Sequence, residues 1–105
     1  MRPDPKMIDD LVRRIVEAVR PLRIILFGSA ARGEMGPNSD LDVLVVMPEG
    51  VHRRRTAQEL HQLMFGLPAP VDILVATAGD VEKHKDNIGL IYYWVLREGR
   101  ELYVI

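Results

Sequence analysis

The sequence predicts an α/β fold, a small mixed β-sheet with helices packed on it. Two observations carry that prediction. Three short apolar runs, Arg23–Phe27, Asp40–Met47 and Val71–Ala76, have the length and β-branched content of buried strands. Longer segments around them repeat apolar residues at helical spacing. The connections between the strands then set their directions. About a dozen residues with little helix join the first two, which favours an antiparallel pair, whereas a full helix joins the second to the third, which favours a parallel crossover.

Each element has its own justification. Lys6–Arg20 places Ile8, Leu11, Val12, Ile15, Val16 and Val19 on one helical face, with Asp and Arg on the other, and Pro21 ends it. Arg23–Phe27 is the first strand, broken by Gly28-Ser29. A brief helical turn through Ala30-Ala31-Arg32 follows, then a loop from Gly33 to Asn38 with turn signals at Gly36-Pro37-Asn38. Asp40–Met47 is the second strand, closed by Pro48. Val51–Phe65 reads as a helix with Leu60, Leu63 and Met64 toward the core, terminated by Gly66, Pro68 and Pro70. Val71–Ala76 is the third strand, Thr77–Lys85 a short helix or loop, Asn87–Arg97 a third substantial helix stopped at Gly99, and Leu102–Ile105 a short last strand. There is no internal repeat, low-complexity segment or interdomain linker, and residues 1–105 are expected to form a single domain.

Bulk composition narrows the function classes. Apolar residues make up 48% of the 105, enough for a hydrophobic core. A formal net charge of -1 gives no broad electrostatic capture of nucleic acid, and 6% aromatics leave no basic-aromatic stripe for stacking single strands. Absence of cysteine excludes a disulfide framework and cysteine-based zinc sites. The N-terminus lacks the apolar run of a signal peptide, and no stretch approaches the roughly 20 apolar residues of a membrane span. The expectation is a cytoplasmic protein with no membrane association.

The chemistry concentrates at one edge of the expected sheet. Asp40 and Asp42 sit at i and i+2 at the mouth of an apolar strand, so alternation points them the same way. The strand directions bring the end of the first strand, at Gly28-Ser29, and the start of the third, at Asp72, beside them. Clustered carboxylates resist burial unless a cation or proton compensates them. Two-metal sites place their ions ~3.5–4 Å apart, and three carboxylates on strands ~4.8 Å apart suit that spacing. Oxygen-only ligation favours magnesium or manganese over zinc. Glycine lets a backbone approach a phosphate closely, the helical turn offers N–H groups, and Ser29 adds a hydroxyl. The reaction class implied is displacement at a nucleoside triphosphate.

Together, Gly28-Ser29, Arg32-Gly33, Ser39-Asp40-Leu41-Asp42 and Asp72 resemble the nucleotidyltransferase superfamily that includes DNA polymerase beta. The small size and the Gly-Ser-x-Ala-Arg-Gly form are similar to its minimal branch, the MNT-domain proteins, often paired with a helical HEPN-domain partner in prokaryotic toxin–antitoxin modules. The resemblance runs from Arg23 to Val75, and Trp94–Tyr103 is similar as well. It implies a polymerase beta palm-like fold in which Asp40 and Asp42 bind two Mg2+ ions. Asp72 would complete one metal site and could accept the nucleophile's proton. Gly28 and Ser29 would hold the triphosphate of ATP, with Arg32 either touching phosphate or bracing the loop. It further implies transfer of AMP to a tyrosine hydroxyl of a HEPN-type partner toxin. The chain lacks the additional domain with which larger members bind small substrates, which points to an acceptor on another protein. Two other functions stay open: a non-catalytic antitoxin that neutralises its partner by binding, and a nucleotidyltransferase acting on a small molecule or RNA end.

The remaining features have structural alternatives. Ser29 would also serve as an N-cap, and Arg32 as a salt-bridge partner. His52-Arg53-Arg54-Arg55 is expected as a solvated face, Lys83-His84-Lys85 as a surface turn and His61 as a helix-surface residue. Ile88–Leu96 is apolar nearly all round, consistent with a buried helix or with a face toward a partner or second copy.

Overall fold

The computed structural model describes residues 3–34 and 40–105; Ser39 of the motif and the turn signals at 36–38 lie outside them. The elements run α1 (Pro5–Val19), β1 (Arg23–Phe27), α2 (Gly28–Ala31), β2 (Leu41–Met47), α3 (Arg53–Leu63), β3 (Val71–Thr77), α4 (Ala78–His84), α5 (Ile91–Glu98) and β4 (Arg100–Val104). The strands form one mixed sheet in the order β3-β2-β1-β4. As the connection lengths require, β1 pairs antiparallel with β2 and β2 parallel with β3. β4 returns antiparallel on the free edge of β1, with a register shift between Ile24 and Ile25.

Both faces of the sheet are covered, which is why β2 is apolar at nearly every position. Its alternation divides the interior into two. Val43, Val45 and Met47 join Leu11, Ile15 and Leu60 beneath α1 and α3. Leu44 and Val46 point the other way, joining Ile25, Ala76, Val81 and Val95 beneath α4 and α5. Asp42 shares the parity of Leu44 and Val46, so it projects on the α4/α5 side.

Local chemistry sets the helix ends. Asp4 caps α1 by accepting from the Lys6 N–H at 2.9 Å, and Arg20 closes it in the left-handed region at φ 49°. Thr77 and Asp80 form a reciprocal capping box that starts α4, making Thr77–Lys85 a helix rather than a loop.

Several boundaries differ from expectation. Asn87 does not start the last helix: its Oδ1 accepts from the Gly89 N–H at 3.0 Å, a local turn that competes with helix, and α5 begins at Ile91. Leu63 is not a core residue. The buried stripe of α3 runs through Thr56 and Leu60 to Met64, leaving Leu63 42% exposed. The helical turn after β1 begins at Gly28 itself, and the last strand begins at Arg100. Ser29 does not cap that turn, because Phe27 holds the N-cap position.

Candidate active site

β-pairing draws the chemistry-bearing residues into one row. Phe27 faces Asp42 across β1/β2, and Asp42 faces Asp72 across β2/β3. Directly opposed residues on adjacent strands share a face, so Asp42 and Asp72 project together. Asp40 lies one residue before β2. Its charge reaches the same place: burial pushes the Asp42 carboxyl above its ordinary range, and the charges of Asp72 and then Asp40 push it further.

Asp42 is the half-buried member of the three, while Asp40 and Asp72 are exposed. Its carboxylate packs onto the backbone of Gly28. A Cβ added to Gly28 would lie 2.5 Å from Asp42 Oδ2, and Gly28 adopts φ +72°, a conformation side chains rarely take. Glycine is therefore demanded twice at this position. Ser29 follows inside α2 and is half-buried. The short turn is closed by the Glu34 N–H donating to Ser29 O at 2.9 Å.

Arg32 follows α2 and is tied to acidic side chains. Its Nε donates to Glu34 Oε2 at 3.1 Å, and its Nη1 stands 3.9 Å from Glu98 Oε2 on α5. The bracing alternative thus has two partners, one of them distant in sequence.

The donor set fits a divalent cation. Asp42 lies against the Gly28 backbone with Asp72 opposite it, and this half-buried carboxylate is destabilised as an anion by burial and by the charges of Asp72 and Asp40. The three carboxylates are neighbours rather than a closed cage. Among the described residues no three histidine, aspartate or glutamate side chains are gathered closely enough to hold a metal ion as they stand. Like charges on one sheet edge repel one another when no cation lies between them.

The basic run at 52–55 has structural duties. His52 Nδ1 accepts from the Arg55 N–H at 3.1 Å and caps α3. Arg53 pairs with Asp80 of the α4 capping box, holding that carboxyl down at about 2. Arg54 and Arg55 are exposed, as a solvated face should be, and so is His61. Lys83 and His84 occupy the last turn of α4, a helix end rather than a surface turn, and Lys85 pairs with Glu82 at 2.8 Å. Burial and the Asp80 charge raise the Tyr92 hydroxyl, whose ring stacks on His84 with centroids 6.0 Å apart. Sequence reasoning missed the Gly28–Asp42 packing and the Arg32–Glu98 approach, which join residues far apart in the chain. Ile88, Leu90, Ile91 and Trp94 are exposed, whereas Val95 is buried, so the α5 region is apolar on both its inner and outer sides.

Comparison with known proteins agrees with this architecture. A toxin-antitoxin complex with AMP-PNP contains a chain that superposes with a TM-score of 0.64 at 21% identity, covering 93% of this chain and 73% of that one. The MntA-HepT toxin-antitoxin structure gives a TM-score of 0.59 at 18% identity, over 97% and 74%. A candidate nucleotidyltransferase from Sulfolobus solfataricus gives 0.56 at 25% identity, over 77% and 73%. No curated protein matches the chain. Residues 8–102 match the family model described as the nucleotidyltransferase domain, and the chain belongs to that family.

Proposed function

We propose that this nucleotidyltransferase domain is an antitoxin that transfers AMP from ATP to a tyrosine hydroxyl of a HEPN-type partner toxin in a metal-dependent reaction. The observation that carries it is the Asp42–Asp72 pairing on one sheet row with Gly28 packed against Asp42. The structural likeness to chains of toxin–antitoxin complexes, one of them with AMP-PNP, supports the choice of nucleotide and partner.

In this proposal Asp40, Asp42 and Asp72 hold the metal ions. Bound magnesium or manganese would neutralise the carboxylates and stabilise charge on the triphosphate as the tyrosine oxygen bonds to the α-phosphorus and pyrophosphate leaves. The backbone N–H groups of the turn that Gly28 opens donate to the phosphate chain, and Ser29 donates its hydroxyl to it. Asp72, exposed at the start of β3, receives the proton of the attacking hydroxyl. Arg32 braces the turn through Glu34 and Glu98 and lends positive charge to the phosphate side.

Purified protein with ATP and magnesium is expected to label its HEPN-type partner with AMP. Equal labelling by the Asp40→Ala, Asp42→Ala double variant would sink the assignment. A second proposal, neutralisation by binding alone, draws on Phe65. That side chain is 91% exposed while Arg14 Nη1 donates to the carbonyls of Leu63 and Phe65 at 2.8 and 2.9 Å, holding the turn that presents it. Full protection from the toxin by the double aspartate variant favours binding. Lost protection with the complex intact favours chemistry.

A further inference from the structure

A small cleft opens beside the glycine turn, on the sheet face that carries Asp42. It is lined by Phe27 and Gly28 at the end of β1, by Ile91, Trp94 and Glu98 of α5, and by Arg32. It encloses about 120 Å³, the scale of one flat ring system and far short of a groove for a helix. Gly28 belongs both to this cleft and to the Asp42 contact, so the two are continuous.

Trp94 is 45% exposed yet held in place. Its Nε1–H donates to Ile88 O at 3.0 Å, which satisfies the indole's one polar group with backbone. Tyr93 meets it edge-on at 74°, centroids 5.0 Å apart, and Arg97 lies 3.6 Å from the centroid of the Tyr93 ring. An exposed aromatic ring with its polar atom already paired and its rotamer braced is a preorganised stacking surface.

We propose that this cleft is the nucleobase subsite, in which the base of the nucleoside triphosphate stacks on Trp94 and Ile91 while its phosphates lie along Gly28 and the carboxylate row. This rests on the assignment of that row as the phosphate and metal site. The occupant follows from continuity and size: the cleft shares Gly28 with the turn that would anchor the phosphates, and it takes one ring system.

Trp94 is the single tryptophan of the chain, so its own fluorescence reports on the subsite. The experiment titrates wild type, W94A and W94F with ATP and with inorganic tripolyphosphate, both with magnesium, following tryptophan emission in the wild type and calorimetry in all three. ATP is expected to quench the wild-type emission, and tripolyphosphate to leave it unchanged. W94A should weaken ATP by about tenfold, within the range of one base–aromatic stack, with tripolyphosphate affinity unaltered. W94F should restore most of the ATP affinity. Unchanged ATP binding by W94A overturns the proposal while leaving the phosphate site standing. Equal loss of both ligands in W94A shows a merely structural residue and overturns it too. If W94A keeps ATP affinity and instead loses a protein partner, the cleft is a docking surface. If the wild type binds neither ligand, the phosphate-site assignment fails and takes the subsite with it.

Discussion

The Asp42 carboxylate occupies the space in which a side chain at position 28 would begin, 2.5 Å from where the Cβ would stand. The positive φ of Gly28 bends the chain sharply at the end of β1, and Asp42 closes over the bend. This contact fixes the Asp42 carboxylate against the turn.

Gly28→Ala is therefore expected to fail on two counts. The strained φ and the clash should destabilise the fold by about 1–3 kcal/mol. Displacing the Asp42 carboxylate by a fraction of an ångström should lower transferase activity by about 100-fold or more. Thermal denaturation and AMP-labelling rates measure the two separately, and an active Ala variant would contradict the described packing.

Asp42→Asn is expected to stabilise the protein at neutral pH while abolishing activity. Asp42 has its carboxyl raised above 3.8 by burial and by Asp72 and Asp40. The folded state therefore keeps its proton to higher pH than the unfolded chain does. That stability is present below about 4, is lost as pH rises through the folded value, and stays lost at pH 7. The Asn variant should gain about 0.5–1 kcal/mol at pH 7, a gain that disappears near pH 3. Magnesium should raise the melting temperature of the wild type more than that of the variant.

Asp80 titrates with the opposite sign. Arg53 and the Thr77 backbone hold its carboxyl down at about 2 from 3.8. Its contribution is complete above about 4 and is lost as pH falls toward 2. Asp80→Ala should cost about 1 kcal/mol at pH 7 through the lost capping bond, with the difference from wild type shrinking in acid. Denaturant melts at pH 7 and pH 2.5 check the sign.

Leu60 and Leu63 lie three residues apart on α3 and should respond in opposite ways. Leu60 is fully buried among the residues beneath the sheet, and Leu63 is 42% exposed. Leu60→Ala should cost about 2–5 kcal/mol, and Leu63→Ala less than about 0.5 kcal/mol. Equal losses in urea denaturation would place Leu63 in the core after all.

Much of the architecture is legible in the chain because it depends on local spacing. Short, nearly continuous apolar runs mark β1, β2 and β3, and the lengths of the segments between them determine which pairs are antiparallel and which parallel. From those two rules Gly28, Asp42 and Asp72 fall on one edge before any coordinates are known. The misreadings at Leu63 and Asn87 have equally physical causes. Leu63 looks apolar enough for the core, but the angular position of Leu60 decides which stripe of α3 faces inward. Asn87 sits in an apolar helical pattern, but its side chain satisfies the Gly89 amide and delays the helix.

The sequence by itself determined the α/β class, the strand directions and the carboxylate row, since these follow from alternation and connection length. Only the tertiary structure decided that Asp42 is the half-buried carboxylate, that it lies on Gly28, that Arg32 meets Glu98, and that Trp94 stands beside the same glycine. The reason is physical. Burial and electrostatic coupling depend on which helices cover a sheet face, and α5 reaches that face from the far end of the chain.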